Sequence, residues 1–175
     1  MGLSHAVITS VNRDDLNDGG SLFFAETIRE VKKFNNGCDV EVLIPDFKGD
    51  RAAINNIIEA SPEVINHNLE TVPRLQREIR TSASYGRSLS LLHYVKSRGF
   101  EGKTKTGLIV GMGENKEEVV SVLTDISKLD VDIVTIGQYL RPTAKHRPID
   151  RYAPEDEFEH YKLIGESLGI PHVES

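Results

Sequence analysis

Five short apolar runs each end in residues able to hydrogen-bond or chelate. "HAVITS" (5–10) closes on Thr9 and Ser10 and passes into Asn12, Arg13, Asp14 and Asp15. "DVEVLI" (39–44) is followed by Pro45 and Asp46, and "EVINHN" (63–68) delivers His67 and Asn68 with Glu70 close behind. "TKTGLIVG" (104–111) opens into Gly111, Gly113 and Glu114, and "VDIVTIG" (131–137) ends in Gly137, followed by Gln138 and Tyr139. Carboxylates and amides accept hydrogen bonds from ammonium and hydroxyl groups, and hydroxyls both donate and accept. Asp46, His67 and Glu70 also offer the oxygen and imidazole donors that suit a divalent ion, so a metal-dependent lyase or hydrolase is one reading.

Each residue also has a plain structural use. "LNDGGS" is a turn composition. Glu114 and Asn115 are helix-start residues. "GMGE" lacks the third glycine of the dinucleotide fingerprint and is weak alone. His67 suits a satisfied core histidine, and the other five histidines share no metal-ligand spacing. Cys38 precedes a strand and reads as inert. The coincidence of five polar run-ends carries more weight than any one residue.

Apolar runs and helix-like segments alternate along the chain. Helices are expected over 22–34, 50–60 (with Asp50 as N-cap), 73–80, 85–99 (stopped by Gly99), 115–130 and 153–169, with "IPHVE" (170–174) starting one more strand. The strands look near-continuously apolar, as in parallel sheets covered by helices on both faces. Two architectures compete, a barrel-like (β/α) fold and an open doubly wound sheet. A complete eightfold barrel takes roughly 200–250 residues, so this chain suits a smaller barrel or part of one. In either architecture the site forms at the carboxyl ends of the strands, where the polar run-ends lie.

Composition removes several classes. With 21 Lys+Arg against 27 Asp+Glu, net charge −6, and scattered cations, neither a nucleic acid nor an anionic membrane is an expected partner. No apolar run reaches the roughly 18 residues of a span, and no signal-peptide pattern is present. One cysteine excludes an internal disulfide framework and fits a reducing compartment. Alone it cannot hold an iron–sulfur cluster or a structural zinc.

The segments "VITSVNRDDLNDGG", "VLIPDFKGD", "NHNLETVPRLQREIR", "KTGLIVGMGE" and "TIGQYLRPTAKHRPIDRY" occur in this order. Together they closely resemble the lipoyl synthase family of radical S-adenosylmethionine (SAM) enzymes, from about Gly2 to Ser175. The resemblance implies an α/β class, with a partial (β/α)6 TIM-type barrel of the radical SAM kind, incomplete in this chain, and residues 1–175 as a single core domain. It implies two [4Fe–4S] clusters, one cleaving SAM to a 5′-deoxyadenosyl radical and one consumed as sulfur donor. Sulfur would enter at C6 and C8 of an octanoyl chain on a lipoyl-carrier domain or H-protein, with a reducing protein as electron donor. The compartment would be the bacterial cytoplasm, or the mitochondrion or plastid of a eukaryote.

The family's cluster cysteines, in a CxxxCxxC loop and a second three-cysteine set, lie before "GLSHAVITS", and its Arg-Ser-Ser-Tyr motif lies after "PHVES". Cys38 matches none of them. The expectation is a central fragment with no metal ligand of its own, inactive alone, with unpaired strand edges and an uncovered apolar interior. A non-catalytic piece that binds a carrier domain is the second reading. Toward SAM, the resemblance puts Thr9 and Ser10 at the methionyl moiety and Asn68 and Glu70 at the ammonium or ribose hydroxyls. It puts Arg80 on the carboxylate, a geometry guanidinium suits. Lys105 and Gln138 are expected at the same mouth, with Gly111 and Gly113 letting backbone approach adenine or sugar. Arg13, Asp14 and Asp15 are expected to order their loop by internal ion pairs or to meet the carrier.

Overall fold

The computed structural model describes residues 2–175. Six strands form one parallel sheet: β1 (His5–Thr9), β2 (Asp39–Leu43), β3 (Val64–Asn66), β4 (Lys103–Val110), β5 (Ile133–Gln138) and β6 (His172–Glu174). The spatial order β1-β2-β3-β4-β5-β6 has no reversal. A doubly wound sheet reverses at a switch point, so the consecutive order decides for the barrel-like alternative. Among the described residues β1 and β6 remain unpaired edges, so the barrel is open.

The connecting helices are α1 (Ser21–Phe34), α2 (Arg51–Glu59), α3 (Gln76–Ile79), α4 (Tyr85–Ser97), α5 (Lys116–Ser127) and α6 (Glu155–Ser167). Their starts are written locally. Asp18 accepts from the amides of Gly20 and Leu22 at the head of α1. Asp50 caps α2 through the Ala52 amide, as expected. Asn115 and Glu118 form a reciprocal capping box on α5, satisfying two otherwise orphaned amides. The stretch expected as one helix over 73–80 is instead a 3-10 turn, Pro73–Leu75, followed by the single turn of α3. Pro73 sits at its first position, where the missing N–H costs nothing.

Two apolar clusters glue helices to the outer face of the sheet. Val40, Val42 and Ile65 pack with Phe24, Ile28, Ile54 and Ile57 from α1 and α2. Leu108, Val110, Val134 and Ile136 pack with Val122, Leu123 and Ile126 of α5 and Tyr161 of α6. The inner face differs from the expectation. It is polar where an apolar interior was expected, because the strands alternate: Glu41 lies between Val40 and Val42, and Lys105 and Gly107 flank Thr106. Lys105 Nζ donates to Glu41 Oε1 at 2.8 Å, and Asn66 Nδ2 donates to the same oxygen at 3.2 Å. Val7 stands exposed at the β1 edge.

Candidate functional site

The polar inner face deepens into a hollow between the ends of β3 and β6. Asn68, Glu70, Gly107, Thr135, Gly137 and Glu174 line it together with Leu108, Ile109, Ile136 and Ser175, enclosing about 410 Å³. That volume lies within the roughly 300–1,000 Å³ of small-molecule sites. Beyond β3 the chain stays beside β4: the Glu70 amide donates to Gly107 O at 2.9 Å, and the Ile109 amide to Glu70 O at 2.8 Å. Glu70 adopts φ 65, the left-handed region that a side chain enters only under outside constraint. The constraint here is the pair of backbone bonds, and the result is a carboxylate on the wall of the hollow. Asn68 Oδ1 is buried and makes no hydrogen bond among the described residues. A Cβ on Gly107 would lie 2.8 Å from that oxygen and 3.0 Å from Thr135 Oγ1. The glycine therefore makes room for two polar side chains.

Arg80 faces a neighbouring hollow of about 340 Å³, shared with Asn12, Pro45 and Asp46. Its Nη1 donates to Leu69 O at 3.2 Å and Ser88 Oγ at 3.3 Å. His67 continues this chain of bonds, with Nδ1 2.9 Å from Ile44 O and Nε2 2.8 Å from Ser88 Oγ. A carbonyl only accepts, so Nδ1 carries the proton and Ser88 donates to Nε2. Burial lowers the His67 pKa to about 4, so the imidazole is neutral at pH 7. Burial also lowers the Arg80 pKa, opposed by the nearby Glu70 carboxylate.

Of the residues singled out by sequence, Asn68 and Glu70 share one hollow and Arg80 lines the next. Thr9 and Ser10 lie at the opposite edge of the sheet, exposed, with their hydroxyls on Leu43 O and Val11 O. Lys105 is near the amino end of β4 and bound to Glu41, away from the expected mouth. Gln138 is fully engaged by its own chain. Its Nε2 donates to Tyr139 O and Arg151 O, and its Oε1 accepts from the Ala153 amide. The room at Gly111 is likewise used internally, since a Cβ there would meet Gln138 Nε2 and Arg151 O at 2.3 Å and 2.6 Å. Gly113 differs: a Cβ there would make only ordinary contact, 3.5 Å from Arg147 Nη2 and 3.9 Å from Asp150. Both glycines have positive φ, 103 and 105, and serve a turn in which Glu114 accepts from the Gly111 and Met112 amides. One ion pair expected within the loop after β1 is present, Arg13 with Asp15, whereas Asp14 pairs outside the loop with Lys48 of the turn after β2.

The divalent-ion reading is corrected. Both His67 nitrogens are occupied, Asp46 is held by Arg87 and the Lys48 amide, and no metal-holding group of three His, Cys, Asp or Glu exists among the described residues. The same donor set does not fit a [4Fe–4S] cluster. Cys38 is buried just before the amino end of β2 and does not line the hollow.

Sequence reasoning missed Gly107, Thr135 and Glu174, while Gly137, read from the sequence as a strand-end residue, does line the hollow. The signal was available for Gly107, because glycine inside an otherwise apolar strand marks a close approach. Glu41 was legible in the same way, as a carboxylate between two valines in "DVEVL".

A profile of the radical SAM superfamily matches residues 1–126. The chain belongs to the radical SAM superfamily. Across all 175 residues this radical SAM chain is 55% identical to lipoyl synthase of Rubrobacter xylanophilus and covers 54% of it. It is 50% identical to the mitochondrial lipoyl synthase of Nematostella vectensis, covering 60%, and 49% identical to lipoyl synthase of Christiangramia forsetii, covering 59%. The chain thus spans between about half and three-fifths of the length of these relatives. Among solved structures, methylornithine synthase superposes with TM-score 0.72 at 17% identity over 99% of this chain and 57% of that one. A domain of a pyruvate-formate lyase-activating enzyme from Bacteroides vulgatus gives 0.68 at 11% identity, over 96% and 98%. These likenesses establish the fold, a partial barrel of parallel strands.

Proposed function

We propose that this chain forms the SAM-facing wall of a lipoyl synthase, which inserts sulfur at C6 and C8 of a protein-bound octanoyl group. The observation that carries the proposal is the roughly half identity to lipoyl synthases over every residue of the chain. The hollow supports it: a constrained carboxylate, an unpaired buried amide oxygen and open glycine backbone form an acceptor-rich cradle for a ribose diol or an ammonium. Bound SAM would supply the adenosyl group.

The roles of this chain's own residues follow from their positions. Glu70 and Asn68 accept from the ribose hydroxyls or the amino group. Arg80 pairs with the carboxylate, its guanidinium oriented by Ser88 and Leu69 O. With Cys38 as its one cysteine, this chain offers no ligand set for an iron–sulfur cluster. We read the partner as an octanoylated carrier domain, with a separate protein as electron donor. No helix of the described residues is long and apolar enough to cross a membrane.

Calorimetric titration of SAM into the chain and its variants tests this. A charge-assisted hydrogen bond is worth about 1.5–3 kcal/mol, so Glu70→Ala and Arg80→Ala should each weaken binding roughly ten- to a hundredfold. Unchanged affinity in both variants rejects the assignment.

A further inference from the structure

Between β5 and α6 the chain runs through residues 139–154 with no helix or strand. Connections of this length are uncommon in compact domains and are either functional or disordered. This one is tied down throughout. The Tyr139 hydroxyl donates to Arg147 O, and the Asp150 amide to Gly111 O. Gln138 holds Arg151 and Ala153, Arg147 pairs with Glu78 of α3, and Arg151 pairs with Glu157 of α6. At its crest Arg141 clamps the carbonyls of Ala144 and His146, while Thr143 Oγ1 accepts from the Lys145 amide. Arg141 thereby keeps its charge outside any ion pair, and Lys145 has no ion-pair partner among the described residues.

The strap is also chemically unlike the rest of the chain. It carries Arg141, Lys145, Arg147 and Arg151 against Asp150 alone, a formal +3 in a chain of −6. Leu140 and Tyr152, near its two ends, are 68% and 70% exposed. A rigid ridge with a cationic crest and exposed apolar flanks has the composition of a protein-docking surface, where Tyr and Arg are enriched. It springs from the carboxyl end of β5, on the edge that bears the hollow.

We infer that this strap is the docking ridge for an acidic protein face, that of the domain carrying the acyl substrate. The inference rests on the function proposed above and adds where the carrier lands. Surface charges of this kind steer association and make it sensitive to salt. A tethered acyl chain then reaches the inner face from the β5 side.

The experiment measures binding of a fluorescent, octanoylated acidic carrier domain to the chain by anisotropy, at about 50 mM and about 300 mM salt. Lys145→Glu, whose side chain holds nothing in place, should weaken binding roughly tenfold at low salt and flatten the salt dependence. Lys128→Glu, at the far end of α5, is the charge-matched control and should leave binding unchanged. SAM affinity, measured on the same samples, should be equal in all three proteins. Carrier binding that ignores both Lys145→Glu and salt overturns the ridge. So does equal loss in the Lys128 variant, or a strap that captures single-stranded RNA while the carrier does not bind. Loss of SAM binding in the unaltered chain, with salt-sensitive carrier binding retained, would instead strike the function and leave the ridge standing.

Discussion

Glu157 is the buried centre of a charge network that fastens the strap to α6, and replacing it with Gln should cost stability in a pH-dependent way. Its Oε1 accepts from Arg151 Nη2 at 2.6 Å and from the Tyr161 hydroxyl at 2.5 Å, and its Oε2 accepts from Arg151 Nη1 at 2.9 Å. The side chain is 1% exposed. The Arg151 hydrogen bonds, followed by those of Tyr161 and the charges of Arg151 and Lys116, outweigh burial and hold its pKa down from 4.5 to about 2. A tenfold displacement of a proton equilibrium is about 1.36 kcal/mol. The depressed carboxylate therefore contributes about 3 kcal/mol of stability. Because the folded value lies below the unfolded one, that contribution is complete above about pH 4.5 and is lost as pH falls towards 2. Urea unfolding should accordingly show Glu157→Gln less stable by about 3 kcal/mol at pH 7, shrinking to about 1 kcal/mol near pH 3. Groups common to both proteins, His67 included, cancel in this difference. Amide exchange should also quicken at Ala153, whose N–H is held by Gln138 inside the same clasp. A stability gap of the same size at both pH values would refute the reasoning, since the loss would then be one of packing and not of charge.

Two more outcomes follow from the inner architecture. His67 is buried and neutral, so protonation opposes folding: stability should fall as pH drops from the ordinary 6.5 towards about 4, and His67→Gln should flatten that limb of a pH–urea profile. Gly107→Ala would push its methyl against Asn68 Oδ1 and Thr135 Oγ1, so SAM affinity by calorimetry should drop while stability falls by only about 1–3 kcal/mol; intact affinity would mean that Asn68 is not part of the cradle.

The fold was largely legible because its rules are local. Asp50, Asn115 and the acidic first turn of α6 mark helix starts by chemistry that acts within four residues. Alternation of these helices with short strands leaves only a parallel sheet; periodicity leaves its order open, and the barrel comes from the resemblance of the strand-end motifs to the radical SAM family, which the strand order bears out. Barrel and doubly wound sheet share every local signal and differ only in which strands touch, which depends on packing across the whole chain. The inner face was misjudged for a related reason. "DVEVL" and "KTGLIV" are apolar on average, and averaging hides that Glu41, Lys105 and Gly107 fall on one side with period two.

The site divides along the same line. Strand direction alone placed Asn68 and Glu70 correctly at a carboxyl end, and their shared hollow follows from it. Gln138 and Gly111 satisfied the same rule yet were claimed by Arg151 of the strap, which no motif of fixed spacing ties to either residue. Position at a strand end is therefore not sufficient for a ligand role, because connecting segments compete for the same polar atoms. Asn68 passes this second test, its oxygen buried and unclaimed, and Glu70 passes it through a backbone conformation that only its two ladder bonds sustain. The Gly111–Gly113 turn fails the same test, since the Gly111 and Met112 amides are both taken by Glu114.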